Sequence, residues 1–460
     1  MNQLKHLAEF ISEFQAKDCP GHVIEAAGLC VFDTVSAALG GSDNPMLKSI
    51  RKTFHTYENT AYPSSAVWGR DTQSASLRTA VFFNAMASHA LELDDVHTGS
   101  KTHIGTVVIP AAWGLCEYLN KSGSELLEAV LCGYEVMARI GMGFGVSGHR
   151  NKGWHVTGTA GTFGAAAACG KLLGFSPEQM LYAFGLAGTQ SCSTWAFLSD
   201  SATNKVLHPA RAAASGLDSC LLVEGGMRGS AHILDAPDGG IFPMMSDRFD
   251  YSLVDKDLGS VYEIMNVDKK PYPCCRSIHC AIDAALQLKE ELNPDPDSIE
   301  SVLVETYKVG LKQCGLSSGS VRPQLPTEAK FSTPYAVACA FLTGNVGLAD
   351  FEPSSIQRME RQKLLERVQV VENHEFTSQY PDHWGCRMTV RLKDGRSSQA
   401  LIRDASGSVA SPLSAEALKR KSAACCGAFP AEWVSQLQKN LLELNTANQL
   451  PSLALPVKNS

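Results

Sequence analysis

In the stretch "LELDDVHTGSKTHIGTVVIP" (residues 91–110), Asp94 and Asp95 adjoin, and His97, Ser100, Lys101, Thr102 and His103 follow before apolar text resumes. Carboxylates and imidazoles at this density suit proton transfer near neutral pH or ligation of a divalent ion. Four more polar islands lie against apolar or glycine-rich flanks. They are "GWHVTGTAG" with His155; "SATNKVLHPARAAASG" with Lys205, His208 and Arg211; "DKKPYPCCRSIHCAIDAA" with Lys270, Tyr272, Cys275, Arg276 and His279; and "PTEAKFSTPYAVA" with Lys330, Ser332 and Tyr335.

Each island has a plainer reading. A histidine beside an apolar helix is more often a hydrogen-bonded structural group than a catalyst, and Asp94 and Asp95 fit a helix-end turn that accepts backbone hydrogen bonds. Lys205 fits a solvated surface, and Cys274 and Cys275 fit inert core thiols. The spacing of Asp94, Asp95, His97 and His103 matches no compact metal motif such as H-E-x-x-H, so no metal is expected. The glycines of "GTAGTFG" follow a histidine-containing segment rather than a strand, and no G-x-x-x-x-G-K-[ST] occurs, which removes a nucleotide reading.

The elements that must position these islands are mostly helical. "VIEAAGLCVFDTVSAALGG" and "SELLEAVLCGYEVMARIGMGFG" repeat apolar residues at helical spacing and end in glycine. "GTAGTFGAAAACGKLLGF" is rich in the small residues that let helices approach closely. Strand alternation enters later, in "SIESVLVETY", "ERVQVVEN" and "CRMTVRLKDGRSSQALIRDA", the last holding a Lys-Asp-Gly-Arg turn, while "HCAIDAALQLKEEL" and "TPYAVACAFLTG" remain helical. The expected fold is mainly α: a large all-helical domain over residues 1–265, a smaller α+β lid domain over 266–405, and helices over 406–460 returning to the first domain.

Composition narrows the function classes. At 460 residues the chain exceeds what one core usually supports, and 44% apolar with 19% charged residues is typical of a globular enzyme. The net charge of -7 and the lack of a basic cluster speak against nucleic acid and anionic membranes. No uninterrupted apolar run approaches the roughly 18 residues of a membrane span, and the N-terminus lacks a secretory pattern, so a cytoplasmic protein is expected. The 15 cysteines sit mainly in apolar helical text with no C-x-x-C pair, as reduced thiols would.

Taken in order, "HALELDDVHTGSKTHIGTVVIPAAW", "GWHVTGTAGTFGAAAACGKLLG", "NKVLHPARAAASGLDSCLL", "KKPYPCCRSIHCAIDAAL" and "EAKFSTPYAVACAF" resemble the MmgE/PrpD family of 2-methylcitrate dehydratases, cis-aconitate decarboxylases and iminodisuccinate epimerases. The resemblance spans residues 5 to 440 or so. It implies a helical domain built from the N-terminal half and C-terminal tail, an α+β lid, an interdomain active site, a homodimer and no cofactor. By motif, Asp94, His103, His155, Lys205 and Lys270 take the family's functional positions. Decarboxylase members carry a histidine five residues after the lid lysine, where this chain has Cys275.

The chemistry the resemblance implies is bond breaking at a carbon beside a carboxylate. It needs a near-neutral base and cations for the enolate-like charge. His103 and His155 supply the first, with Asp94 as orienter or substrate contact and Cys275 as a candidate second acid. Lys205, Lys270, His208, Arg276, His279 and Lys330 are the candidates for binding a small di- or tricarboxylate. A hydro-lyase of the 2-methylcitrate dehydratase type stands first, as the commoner activity of the family. An iminodisuccinate-type epimerase and a cis-aconitate-type decarboxylase are the alternatives, the last weakened by Cys275. A catalytically silent polycarboxylate-binding protein is the reading from a different class.

Overall fold

A computed structural model describes residues 2–57, 65–70, 74–200 and 202–455. The fold is mainly α, with a large helical part and a smaller α+β part. The centre of the helical part is the Val156–Leu172 helix, buried along nearly its whole length between the Gly123–Gly143 and Leu207–Glu224 helices. Its Gly/Ala composition follows from that burial. A Cβ on its Gly161 would stand 2.9 Å from Ala212 Cβ, and one on its Gly164 would stand 2.6 Å from Met137 Cβ. Glycine inside a helix costs about 1 kcal/mol relative to alanine, a cost that close backbone approach and dense packing offset here. Helix starts are locally encoded: Ser122 with Glu125 and Ser176 with Gln179 form capping boxes.

The Gly21–Gly41 helix is long and apolar enough to cross a membrane by length and composition, yet 67% of its most apolar window is buried inside the protein. The Ala415–Cys425 and Ala431–Leu442 helices pack on it, and Leu418, Cys425, Leu437 and Leu441 join the helical core. Lys421 pairs with buried Asp33 of the Gly21–Gly41 helix at 2.6 Å. The C-terminal residues thus close the core begun at the N-terminus.

The lid has its own core, from Cys274 to Ala405. Its four-stranded sheet runs Val368–Glu372, Ile299–Thr306, Cys386–Leu392, Ser397–Ile402, with the first pair parallel and the others antiparallel. Val302 faces Val390 and Val304 faces Met388, all buried, so one face of period two carries the contact with the His279–Leu292 and Thr333–Thr343 helices. Gly395, at φ +90°, makes the turn between the last two strands.

Two short strands tie the acidic stretch to the segment that leads into the lid, whose Val267 still packs in the helical core. Val96–His97 pairs antiparallel with Val267–Asp268, with Val96 opposite Asp268 and His97 opposite Val267. Lys101 adds a clamp: its ammonium donates to the Pro381 carbonyl at 3.0 Å and lies 4.5 Å over the Trp384 ring. The acidic stretch at residues 91–103 is therefore threaded along the seam between helical domain and lid.

Candidate active site

Four chain segments of the helical domain deliver the site, three of them at helix ends. The Leu77–His89 helix stops at His89, and residues 90–95 fold back beneath it. His103 precedes the Gly105–Tyr118 helix, and His155 is the residue before the Val156–Leu172 helix. Lys205 sits in the single turn Asn204–Val206, and His208 in the first turn of the Leu207–Glu224 helix. From the lid, Lys270 follows the joining strand, and Lys330 ends the short Pro326–Ala329 helix. Side chains fixed at the ends of rigid helices converge on one place without themselves needing to be helical.

At the centre is Asp94, fully buried, whose Oδ2 lies 2.7 Å from His103 Nδ1 and 2.9 Å from His89 Nδ1. His103 Nδ1 also lies 3.0 Å from the Asp95 carbonyl. Both neighbours of that nitrogen are acceptors, so it carries the proton and Nε2 keeps the lone pair. Burial pushes the His103 imidazole down to about 4, against the pull of Asp94. Burial alone would raise Asp94, but His89 and His103 hold it well below the usual carboxylate range. The result is a neutral imidazole, protonated at Nδ1 and bare at Nε2, backed by an ionised carboxylate, the arrangement of a general base.

Asp95 has a different task. It accepts from Gly105 N–H at 3.0 Å and from the Tyr134 hydroxyl at 2.6 Å, tying down the helix start, and burial raises it to about 6. His97 is likewise structural: its Nδ1 meets Ser100 Oγ at 2.9 Å and its Nε2 meets Glu263 at 3.1 Å.

His155 and His208 share a short Nδ1 to Nδ1 contact of 2.8 Å, so one donates and the other accepts. The His155 ring lies 6.3 Å from that of His103, and burial and the neighbouring cations keep it well below the ordinary histidine value. His208 is pushed down to about 3 by burial and Lys205, and it faces a second cavity of about 480 Å³ beside Ser193, Thr194 and Arg211.

The cations gather around a residue that sequence reasoning passed over. Buried Glu92 takes Lys205 on Oε1 and lies 3.5 Å from Lys270 through Oε2, while Lys270 also donates to the Glu92 carbonyl at 3.2 Å. Burial would raise Glu92, but the two lysines hold it well below the carboxylate range. Its backbone is left-handed, φ +55°, a strained conformation for a residue other than glycine that the surrounding contacts must enforce. Lys205 is thus buried rather than solvated. Lys270, despite complete burial, is raised by Asp94 and Glu92, whereas burial lowers Lys330 to about 8.

His89 was also missed. It is fully buried, and its Nε2 lies 2.8 Å from Lys205 Nζ. Both residues stand in "HALELDD", directly ahead of the paired aspartates. His89, Glu92 and Lys205 face Lys330, Phe331 and Ser320 of the lid across a cavity of about 580 Å³. Such a volume suits a small organic acid.

Not every expected residue reaches this place. Arg276 is consumed by Asp268, at 2.9 Å, and lines a separate groove with Asp382, His383 and Trp384. His279 is sealed in the lid, its Nε2 3.3 Å from the Cys274 carbonyl. Neither lines the cavity that Lys205 and Lys330 share, and each keeps one buried nitrogen without a partner, Arg276 Nη1 and His279 Nδ1. Cys275 lies beside the lysines: its N–H donates to the Lys330 carbonyl at 2.9 Å. A hydrogen bond with Cys314 brings its thiol down to about 7, while Cys274 is raised by burial.

Among the described residues, His89, Asp94 and His103 are the group whose potential ligand atoms lie within 4.8 Å of one another. Both imidazole Nδ1 atoms address the same Asp94 oxygen as hydrogen-bond donors. Nitrogens so engaged carry protons rather than the lone pairs that a metal ion requires.

Residues 5–253 match the MmgE/PrpD N-terminal domain and residues 272–444 the MmgE/PrpD C-terminal domain. Over 98% of this chain and 96% of theirs, the sequence is 25% identical to the cis-aconitate decarboxylase-like protein oryM of Aspergillus oryzae and 26% identical to cis-aconitate decarboxylase of Aspergillus terreus. It is 25% identical to 2-methylcitrate dehydratase of Escherichia coli across 47% of this chain and 45% of that one. With the two domain models in sequence along nearly its full length, the chain belongs to the MmgE/PrpD family.

Proposed function

We propose that the protein is a lyase that acts on a small di- or tricarboxylate by removing a proton from a carbon beside a carboxylate, with dehydration of the 2-methylcitrate type as its reaction. The observation that carries this is the His103 ring, fixed at Nδ1 by Asp94 and the Asp95 carbonyl so that Nε2 is free, and linked through Asp94 and His89 to Lys205 in the wall of the cavity. Lys205, Lys270 and Lys330 take the substrate carboxylates and stabilise charge on the enolate-like intermediate. His103 takes the proton, and the imidazolium so formed returns it, through the neutral His155 of the His155 and His208 pair, to the hydroxyl that leaves as water. One general base is worth about two to four orders of magnitude in rate and a preorganised donor about as much, so both parts are needed.

Two observations favour other outcomes for the same intermediate. Relatives matched over nearly their full length are cis-aconitate decarboxylases, which supports loss of carbon dioxide. Cys275, held at about 7 beside the lysines, supports return of a proton by a thiol, as a two-base epimerase requires. As in the family at large, the working unit is taken to be a homodimer; exposed Leu207, Leu221 and Leu222 of one helix are apolar surface that a second copy would cover.

The test is incubation with methylcitrate, citrate, cis-aconitate and iminodisuccinate in deuterium oxide. Deuterium entering the substrate with water loss supports dehydration, carbon dioxide release identifies decarboxylation, and inversion without loss identifies epimerisation. Binding with neither exchange nor turnover on any of these acids would leave a silent binding protein and refute the proposal.

A further inference from the structure

His89 has no part in the chemistry described above, yet it stands between its two halves. Its Nε2 lies 2.8 Å from Lys205 Nζ in the cavity wall, and its Nδ1 lies 2.9 Å from Asp94 Oδ2, the oxygen that also holds His103 at 2.7 Å. The His89 and His103 rings are 4.7 Å apart. An ammonium has only donors, so Nε2 of His89 is the acceptor and its single ring proton resides on Nδ1, directed at Asp94. The carboxylate therefore receives two imidazole N–H groups on one oxygen, while its Oδ1 is buried without a partner.

We infer that His89 is a positioning residue, which fixes the Asp94 and His103 pair in the base-competent tautomer and couples that pair to Lys205, the ammonium that receives a substrate carboxylate. The charged and titratable groups around His103 are Asp94 and Asp95 on its own loop, His89 from the Leu77–His89 helix, His155 ahead of the next core helix, Lys205 before the Leu207–Glu224 helix, and Lys270 from the lid. Of these, His89 is the one that touches both the carboxylate behind the base and a cation of the cavity. By sharing the Asp94 oxygen it reduces the negative charge available to His103 and so restrains that base from holding its proton too tightly. When a substrate carboxylate draws Lys205 toward itself, the hold on His89 Nε2 loosens and Asp94 feels the change. The inference rests on the carboxylate-lyase reading for its kinetic test, not for its geometry.

Two conservative variants separate the two contacts. In His89→Gln the side-chain amide reaches Lys205 but not Asp94; in His89→Asn the amide nitrogen takes the place of Nδ1 on Asp94 but does not reach Lys205. With the acid that the wild-type protein turns over, His89→Gln is expected to move the acidic limb of kcat/KM upward by about one pH unit, the scale of one charge-assisted hydrogen bond. His89→Asn is expected to leave that limb in place and raise KM several-fold. Equal losses of kcat in both variants with no shift of the limb, or kinetics unchanged from wild type, would overturn the inference.

Should either variant fail to fold, the histidine ring ¹⁵N spectrum of the wild-type protein decides. A resonance pattern with the proton on Nδ1 of His89 and a bare Nε2 supports the assignment, and a proton on Nε2 overturns it. Should the wild-type protein turn over none of the acids, the lyase reading fails, and the same spectrum still judges His89.

Discussion

Replacing Glu92 with glutamine removes the one carboxylate that the buried Lys205 and Lys270 share, at almost unchanged volume. The Lys270 contact is 3.5 Å and the Lys205 contact is closer. At an effective dielectric of about 20, a pair at 3.5 Å is worth roughly 5 kcal/mol before desolvation. Breaking a buried pair from one side typically costs about 3–5 kcal/mol, since the remaining charge stays buried and unpaired. For a domain of a few hundred residues that corresponds to a fall of roughly 6–10 °C in Tm. The decisive measurement is a pair of melts, with and without saturating citrate. In Glu92→Gln a citrate carboxylate replaces the missing counterion, so citrate should raise Tm further in the variant than in wild type. At about one hundred times Kd, mass action alone contributes about 2.7 kcal/mol in either protein, so the comparison reads the excess. A variant that melts with wild type, or gains no more from citrate, would refute the view that Glu92 holds the place and charge of a substrate carboxylate.

Other perturbations test the remaining parts. His103→Ala and His155→Ala should each lower kcat by about 10²–10⁴ with little change in circular dichroism or Tm, as expected for loss of proton transfer; a folded variant with full turnover would return that residue to a structural role. Lys330, at about 8, loses its proton as pH rises past that value, so KM for a polycarboxylate should climb above pH 8, and Lys330→Arg should flatten that rise. In Cys275→Ser, retained deuterium exchange with loss of inversion would identify an epimerase, whereas unchanged product chemistry would exclude the thiol from the reaction. Stability should fall from pH 7 to pH 5 in thermal melts. His103, His149 and His208, at about 4, 3 and 3, and His155 and His279, also well depressed, remain neutral in the fold while the unfolded chain takes up protons below its ordinary value near 6.5. By pH 5 each costs about 2 kcal/mol. Asp95 and Glu135, raised to about 6 and 7, bind protons in the fold and together offset about 3 kcal/mol, which leaves a net loss.

The layout was legible in the sequence where local rules act alone. "SIESVLVETY" and "CRMTVRLKDGRSSQALIRDA" alternate because each strand has one face on helices, and the structure places strands at Ile299–Thr306, Cys386–Leu392 and Ser397–Ile402. The Gly/Ala helix was legible as a close-packed centre for the same reason. The site was half legible. Asp94, His103, Lys205 and Lys270 stand in polar islands that apolar flanks make conspicuous. Glu92 and His89 do not, because their importance arises from partners 113 and 116 residues away in Lys205. Arg276 and His279 looked equivalent to Lys270 on paper, yet Asp268, which sequence reasoning did not single out, binds one, and helix packing seals the other. Which of several neighbouring cations meets a ligand is decided by such partners, and spacing along the chain does not reveal them.

The placement of the cations also bears on how the two domains work together. Lys205 comes from the helical domain, and Lys270 and Lys330 lie at the base and wall of the lid, while Glu92 on the helical side binds the first two. Three ammonium groups against the two carboxylates of Glu92 and Asp94 leave one positive charge in excess in a low-dielectric setting, which is costly unless an anion enters. A polycarboxylate can bridge the domains because its carboxylates reach cations from both, whereas a monocarboxylate neutralises one cation and leaves the lid lysine unpaired. On the proposed lyase reading, the base at His103, six residues beyond the Val96–His97 strand that pairs with Val267–Asp268, acts on an acid held by cations of both parts. Attraction for a compact polyanion is therefore a property of the two-domain architecture, and the lid side chains around Phe331 and Ser320 are left to discriminate among acids of similar charge.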